Sequence, residues 1–254
     1  MSAVPVLEVV QTEGALWVRL PVSASRCSTS DLASAIAETC RGVEERSQPP
    51  ACVVFASTNH AFFLPTPPSS VDSDVVGEGW RVATAAVARL SAPTVAVIAG
   101  DALGPAWELA LACDLRIAST AARMGSPEIR WGRMPSAGGT QRLVRIAGPT
   151  IATRLLLLGE VISAIEALEL GLIHRMATLG ELEICARDLI TQISAAAPIA
   201  LAYTKEAVRD GVELSLADGL RLEADLASLL QTTGDRAEGI DAFLNRRQPR
   251  FQGE

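Results

Sequence analysis

The sequence predicts an α/β fold: a parallel sheet with helices on its faces, followed by a helical C-terminal region. Between residues 50 and 150, short apolar runs alternate with helical segments, which is the pattern of strand–helix–strand units. From about residue 150 the pattern becomes mostly helical. The 254 residues are 49% hydrophobic, 20% charged and only 4% aromatic, a globular balance with an aliphatic core.

The N-terminal part predicts a hairpin, a helix and a buried strand. Val6–Val10 and Ala15–Leu20 are apolar or alternating segments on either side of turn residues, which indicates a β-hairpin. Ser30 and Asp31 open a helix that continues to about Val43. The uncharged run Ala51–Ala56 is typical of a strand buried on both faces of a parallel sheet.

A long irregular segment follows, from Ser57 to about Gly79, and it contains three prolines. Loops of this length in compact domains are commonly functional or mobile. A helix over Trp80–Leu90 comes next. Pro93 then precedes a second buried strand, Thr94–Ala99.

Gly104 and Pro105 open a further helix, Ala106–Cys113. Proline is tolerated there because the first N–H of a helix has no intrahelical partner. Gly138 and Gly139 precede another helix. The remaining predicted elements are two short strands, Asp114–Ala118 and Ala122–Gly125, and six helices, Ile151–Leu158, Ser163–Leu170, Leu179–Ala197, Pro198–Glu213, Ser215–Gln231 and Arg236–Arg246.

Charge and composition exclude several classes of function. The net charge is −7 and no basic stripe is present, so nucleic acid is not an expected partner. Only two histidines are present and they are not clustered, which argues against a metal site and against a Ser-His-Asp site. No run of about 18 apolar residues occurs without a charge, so no membrane partner is expected.

The cysteines and the N-terminus predict a cytoplasmic protein. The number of cysteines is odd, and no Cys-x-x-Cys pair occurs, which is typical of reduced thiols. The first residues lack a basic segment followed by a long apolar run, so a secretory signal is not expected. The five cysteines are Cys27, Cys40, Cys52, Cys113 and Cys185.

Two carboxylates, Glu108 and Glu128, stand in apolar, glycine-rich surroundings twenty positions apart. An acidic side chain in an apolar run is costly unless it is paired or used. Two of them flanking predicted strands favour general acid–base chemistry. The alternative is structural: Glu108 caps or pairs within its helix, and Glu128 pairs with Arg130 or Arg133.

Four segments of the chain resemble the enoyl-CoA hydratase/isomerase (crotonase) family. Their order and spacing carry the resemblance over residues 50–254, whereas the first 45 residues match poorly. The segments are Ala99–Gly104 with Glu108–Ala110 and Cys113-Asp114; Gly125–Ile129 with Pro135–Leu143; Leu158–Ala164 with Glu166-Ala167 and Gly171–Ile173; and Asp235, Glu238-Gly239, Ala242-Phe243 and Arg246–Gly253.

The resemblance implies a crotonase-like spiral of ββα units with a C-terminal helical subdomain. It implies that residues 1–195 form the α/β core and residues 196–254 a helical trimerisation subdomain. The implied partner is an acyl-CoA thioester, and the implied assembly is a homotrimer or a dimer of trimers. No cofactor is implied, since coenzyme A is part of the substrate.

The resemblance also implies roles for particular residues. Glu108 and Glu128 match the family's acid–base pair, and the positions of its two oxyanion-hole N–H donors match Thr66 and Pro105. Because proline has no N–H, the second donor is absent. Substrate-binding positions are implied at Ala61, Phe63, Leu64, Trp107, Trp131 and Gly138. Core packing is the alternative for both tryptophans, and a tight turn beside the pocket is the expected use of Gly138.

Two classes of function therefore stay open. The first is an enoyl-CoA hydratase-like lyase of fatty-acid metabolism, which adds water to a 2-enoyl-CoA or removes it, with an atypical oxyanion hole at Pro105. The second is a homologue that binds acyl-CoA without turnover. A variant of the first keeps the fold and changes the reaction to isomerisation, decarboxylation or thioester hydrolysis.

Overall fold

The computed structural model describes residues 7–12, 14–21, 29–57, 61–63 and 73–254. Within these ranges the chain alternates strands and helices up to residue 177 and is helical afterwards. The strands are β1 Glu8–Thr12, β2 Ala15–Leu20, β3 Cys52–Ser57, β4 Ala61–Phe63, β5 Thr94–Ile98, β6 Asp101–Leu103, β7 Leu115–Ser119, β8 Arg123–Gly125, β9 Val161–Ser163 and β10 Arg175–Ala177. The helices are α1 Thr29–Glu44, α2 Ser73–Arg89, α3 Pro105–Ala112, α4 Gly139–Leu158, α5 Ala164–Glu169, α6 Leu182–Ser194, α7 Pro198–Gly211, α8 Leu216–Leu230 and α9 Gly234–Leu244, with a 3-10 helix at Pro127–Trp131.

The described strands form two sheets. The larger has the order β1-β2-β3-β5-β7-β10, and all its neighbours are parallel except the β1–β2 hairpin. The smaller has the order β4-β6-β8-β9, parallel except at β8–β9. The predicted α/β fold with a hairpin, a parallel sheet and C-terminal helices is confirmed. The three-residue strands β4, β6, β9 and β10 are not predicted, because so short a segment shows no periodicity.

Alternating side chains of the larger sheet feed two apolar cores. On β3, Val53 and Phe55 face one core and pack with side chains of α1 and α2. Cys52, Val54 and Ala56 face the other core, which α6 covers with Leu182, Ala186, Ile190 and Ile193. Since β3 is buried on both faces, its continuous apolar sequence is explained.

The start of α2 corrects the predicted irregular segment, which extends too far. The helix begins at Ser73, so residues 73–79 are helical and not irregular. Gly77 and Gly79 weaken the helical signal there. A Cβ built on Gly79 would lie 3.5 Å from the Cβ of Ala33 on α1, which is an ordinary van der Waals contact, so packing does not require glycine there.

The helix α4 contains one break, which lies between the helix predicted after Gly139 and the helix predicted over Ile151–Leu158. Gly148 has φ 78° and ψ 164°, and Pro149 follows it. Proline cannot donate to the preceding turn, and glycine accepts the left-handed φ, so the chain changes direction between two helical halves.

The helices α7–α9 expose many apolar side chains. Phe243 is 83% exposed and Leu216 is 81% exposed. No single helix in the described ranges is long and apolar enough to cross a membrane; the pair α6–α7, bent by 102°, passes only on combined length and composition. The division of the chain at residue 195 stays a prediction.

A partly buried ion pair joins α7 to Asp114, the residue that precedes β7 of the larger sheet. The Nζ atom of Lys205, the single lysine of the chain, lies 2.7 Å from Oδ2 of Asp114 and donates to the Ala92 carbonyl at 3.1 Å. Asp114 also accepts from the backbone N–H and the hydroxyl of Thr94. The Lys205 side chain is 9% exposed and that of Asp114 is 33% exposed, so solvent screens the pair only in part.

We expect Lys205→Met to lower the free energy of unfolding by about 2 kcal/mol, because it leaves the Asp114 carboxylate without its cation. Urea unfolding measures the change. The control is Arg221→Met, which breaks an exposed pair with Asp218 and should cost less than about 0.5 kcal/mol. Equal losses in the two variants would contradict the prediction.

Candidate active site

Glu108 is buried in the most apolar helix of the core. Every residue of α3 from Ala106 to Ala112 is buried, and Glu108 itself is 1% exposed. The helix begins two residues after the end of β6, so this strand of the smaller sheet positions its first turn. The carboxylate therefore needs partners inside the protein, since solvent does not reach it.

The partners of Glu108 are two backbone N–H groups from the loop before α4. Its Oε1 atom accepts from the N–H of Ala137 at 2.7 Å and from the N–H of Gly139 at 2.8 Å. A Cβ at position 139 would lie 2.9 Å from Cγ and Oε1 of Glu108 and 3.1 Å from Cβ of Pro135. Only glycine allows the loop to approach this closely.

Burial raises the pKa of Glu108 to about 7. The two N–H groups oppose the shift because they favour the anion, and the positive charge of Arg142 acts in the same direction. The nearby charge of Glu128 raises the pKa further. A carboxyl group that titrates near neutral pH is suited to giving and taking protons.

Glu128 lies on the 3-10 helix and is half-buried. Both of its carboxylate oxygens are inaccessible to solvent, and neither has a hydrogen-bond partner in the described part of the chain. Burial raises its pKa, while its own backbone N–H and the charge of Arg133 oppose the shift. The expected local pairing with Arg130 or Arg133 is not found, so within the described residues the Glu128 carboxylate keeps its capacity to accept hydrogen bonds.

Pro105 is the first residue of α3, as the helix-start pattern predicts. It has no N–H to offer, and its neighbour cannot replace it, because the N–H of Gly104 already donates to the carbonyl of Gly125 at 2.9 Å. The first intrahelical bond runs from the N–H of Glu108 to the Gly104 carbonyl, also at 2.9 Å. This bond fixes the register of Glu108 relative to Pro105.

The other sequence-predicted residues are distributed around this start of α3. Ala61 and Phe63 lie on β4, which pairs with β6 immediately before Pro105, while Leu64 and Thr66 lie outside the described residues. Trp107 is 2% exposed and belongs to the core. Trp131, in contrast, is 52% exposed at the end of the 3-10 helix.

Gly138 makes the turn between Ala137 and Gly139, whose N–H groups donate to Glu108. Its φ is 100°, and a Cβ there would collide with the guanidinium of Arg142. The sequence indicates a tight turn at this glycine but does not indicate the two N–H donors on either side of it. Backbone donors have no sequence signature of their own; the adjacent glycines are the one visible sign of a close approach.

The arrangement is suited to acid–base chemistry. The charge of Glu128 acts on the buried carboxylate of Glu108. Two N–H donors hold Glu108, whereas the oxygens of Glu128 have no partner in the described part of the chain. Among the described residues, no group of three or more histidine, cysteine, aspartate or glutamate side chains is placed to hold a metal ion. The site thus combines one carboxyl group held by two N–H donors with one whose oxygens have no hydrogen-bond partner among the described residues.

The fold and this carboxylate pair define a protein of the crotonase class. The enoyl-CoA hydratase/isomerase family model matches residues 72–254, and the chain belongs to that family. The 1.8 Å structure of enoyl-CoA hydratase from Bacillus anthracis is similar over 98% of this chain and 100% of that one, with a TM-score of 0.91 and 30% identity.

Curated relatives carry hydratase names. The chain is 41% identical over 167 residues to a probable mitochondrial enoyl-CoA hydratase 2 of Arabidopsis thaliana, and 43% identical over 169 residues to 2,3-dehydroadipyl-CoA hydratase of Escherichia coli K12. The first match covers 66% of this chain and the second 65%. The matched part of this chain spans 56% of the length of the Arabidopsis thaliana relative and 66% of the length of the Escherichia coli one.

We expect Glu108→Gln to stabilise the protein more at high pH than at low pH. The folded chain holds the Glu108 proton more tightly than the unfolded chain does. The parent therefore loses stability as the pH rises from about 4.5, the pKa of a glutamate in the unfolded chain, to about 7, its pKa in the folded chain, whereas glutamine does not titrate. Between pH 5 and pH 8 the free energy of unfolding of the variant, relative to the parent, should rise by about 2 kcal/mol.

Urea unfolding at several pH values tests this expectation. The matched control is Glu223→Gln, at an exposed position of α8, which should follow the parent at every pH. A difference between Glu108→Gln and the parent that stays constant with pH would show that the folded state does not raise the pKa of Glu108.

Proposed function

We propose that the protein is an enoyl-CoA hydratase-like lyase that adds water to a 2-enoyl-CoA thioester, or removes it in reverse. The observation that carries the proposal is the pair of buried carboxylate groups on Glu108 and Glu128, of which Glu128 has no partner for either oxygen among the described residues. The family membership and the hydratase names of the relatives support it. The reaction needs no cofactor beyond the coenzyme A of the substrate.

In the proposed reaction, a water molecule is held between the two carboxyl groups. One carboxylate removes a proton from the water as its oxygen bonds to C3, and the electrons of the C2–C3 double bond move toward the thioester oxygen. The other carboxyl group, in its protonated form, then delivers a proton to C2. Glu108, whose pKa is about 7, keeps both protonation states accessible at neutral pH.

The negative charge on the thioester oxygen requires hydrogen-bond donors. The proposal assigns one donor to the N–H of Thr66. The position matching the second is Pro105, and the N–H of Gly104 is occupied by Gly125. Loss of one such donor costs about 3–4 kcal/mol of transition-state stabilisation, or about 100- to 1,000-fold in rate.

Pro105 also supports the second candidate, a homologue that binds acyl-CoA without turnover. A missing donor weakens stabilisation of the enolate and leaves ground-state binding largely intact. The two candidates differ in one measurable respect. The lyase depends on ionisable carboxyl groups, whereas a binding protein tolerates their replacement by amides.

We expect the parent protein to hydrate at least one thioester in a panel from crotonyl-CoA to medium-chain and cyclic 2-enoyl-CoAs. Loss of the enoyl-thioester absorbance measures turnover. Glu128→Gln should lower it at least about 100-fold, because the amide cannot exchange a proton. Pro105→Gly and Pro105→Ala, which both restore an N–H, should raise it by up to about 100-fold.

The panel separates the candidates. Turnover that vanishes in Glu128→Gln establishes the lyase. A silent parent with active Pro105→Gly and Pro105→Ala variants identifies the missing donor as the defect and favours the binding role. If neither the parent nor any of the variants turns over a thioester, and the parent and Glu128→Gln bind crotonyl-CoA equally well, the lyase proposal is overturned.

The proposed assembly is a homotrimer or a dimer of trimers. The exposed apolar side chains of α8 and α9 would then be covered by neighbouring copies, as contiguous apolar surface of this kind commonly is. Sedimentation equilibrium should give a mass of three or six chains of 26.7 kDa. The double variant Phe243→Asp, Leu244→Asp should lower that mass.

The control for assembly is Ile184→Asp, an exposed position on α6 outside α8 and α9. It should leave the mass unchanged. A monomeric parent, or a double variant that sediments as the parent does, would contradict the assignment of this surface to subunit contacts.

A further inference from the structure

The Ala137 residue is held from both sides. Its N–H donates to Oε1 of Glu108 at 2.7 Å. Its carbonyl accepts two hydrogen bonds, one from the hydroxyl of Thr84 at 2.7 Å and one from Nη1 of Arg142 at 2.8 Å. The loop that holds the carboxylate is thus itself held by α2 and α4, the two helices that carry these side chains.

Arg142 occupies an unusual position for a cation. It lies in the first turn of α4, where the helix dipole disfavours positive charge, and its guanidinium folds back over the loop that precedes the helix. It is half-buried, and a second contact, from Nη2 to the Thr84 carbonyl, is longer at 3.4 Å. Burial of this cation calls for compensation by nearby negative charge.

The compensating charge is Glu108. Arg142 lowers the pKa of Glu108, and Glu108 in turn raises that of Arg142, although no direct ion pair joins them. In the described part of the chain, the charged groups acting on Glu108 are Arg142 from α4 and Glu128 from the 3-10 helix; α2 contributes the neutral Thr84. Among the described residues, Arg142 is therefore the one positive charge that lowers the free-energy cost of burying the Glu108 anion.

We propose that Arg142 and Thr84 are positioning residues that clamp the loop 137–139 and thereby set the proton affinity of Glu108. Arg142 does so in two ways: it fixes the Ala137 carbonyl, so that the N–H groups of Ala137 and Gly139 stay aimed at the carboxylate, and it supplies positive charge. Thr84 does so through geometry alone. The inference rests on the proposed acid–base function only for its kinetic consequence.

The glycine at position 138 agrees with this clamp. Any side chain there would collide with the guanidinium, so the loop can pass Arg142 at this distance only as glycine. Gly139 is required on the other side, against Glu108. The two adjacent glycines thus fit a backbone compressed between a cation and a carboxylate.

The test is a titration of Glu108 itself. Protein labelled with 13C at the glutamate carboxyl carbons is followed by NMR across pH, and the Glu108 resonance is assigned by its loss in Glu108→Gln. Arg142→Gln should raise the proton affinity of Glu108 about tenfold, because a nearby positive charge and an ordered pair of donors are lost. Arg142→Lys, which keeps the charge, should give a smaller rise.

Two further variants keep the test decisive. Thr84→Val removes the hydroxyl bond to Ala137 together with a longer one, at 3.3 Å, to the Arg81 carbonyl within α2. It should raise the proton affinity about threefold, which serves if Arg142→Gln does not fold. Arg145→Gln, on the same helix, breaks an exposed pair with Glu213 and should leave Glu108 unchanged. An unchanged Glu108 titration in folded Arg142→Gln or Thr84→Val, or an equal shift in Arg145→Gln, overturns the proposal.

A kinetic readout distinguishes this inference from the proposed function. If the protein hydrates a 2-enoyl-CoA, the Glu108 limb of the pH–rate profile should move with the NMR titration in each variant. If it shows no turnover, the NMR titration still decides whether the clamp sets the proton affinity of Glu108. If the Glu108 titration shifts in the variants but no turnover is found, the positioning role of Arg142 and Thr84 is supported and only the lyase proposal is contradicted.

Discussion

The burial of one carboxylate, that of Glu108, determines much of the structure around it. An ionised carboxyl group removed from water costs several kcal/mol unless donors or charges replace the solvent. Here two backbone N–H groups replace it on one oxygen. They come from a loop that must pass close to α3, and this requirement explains Gly139 and, through the cation behind the loop, Gly138.

The two carboxyl groups of the site differ in how their burial is compensated. Glu108 has donors and a nearby cation, whereas among the described residues Glu128 is compensated by its own N–H and by the charge of Arg133. Buried acceptors without partners are rare in folded proteins because each costs about 1–3 kcal/mol. A group that donates a hydrogen bond to Glu128 would recover part of that free energy.

The sequence predicts the side chains of the site better than its backbone. Glu108 and Glu128 stand out because acidic residues in apolar runs are uncommon, and Pro105 because a helix start is readable from its first residue. The N–H donors of Ala137 and Gly139 are not predictable, since any residue carries one and only the tertiary fold aims it. The same limit applies to Arg142, whose partner is a carbonyl, and to α2, whose glycines hide a helical start at Ser73.

Pro105 is compatible with the stability of α3 but takes a hydrogen-bond donor away from its first position. A proline at the first helical position has its φ already set, so it suits the helix, while it removes an N–H that the helix itself does not use. The departure from the family pattern at the start of α3 therefore carries no structural penalty. The two carboxylates do carry such a penalty, because Glu108 is buried and the buried oxygens of Glu128 have no hydrogen-bond partner among the described residues. Neutral residues at both positions would avoid this cost, and for that reason the pair is the main support for the proposed acid–base function.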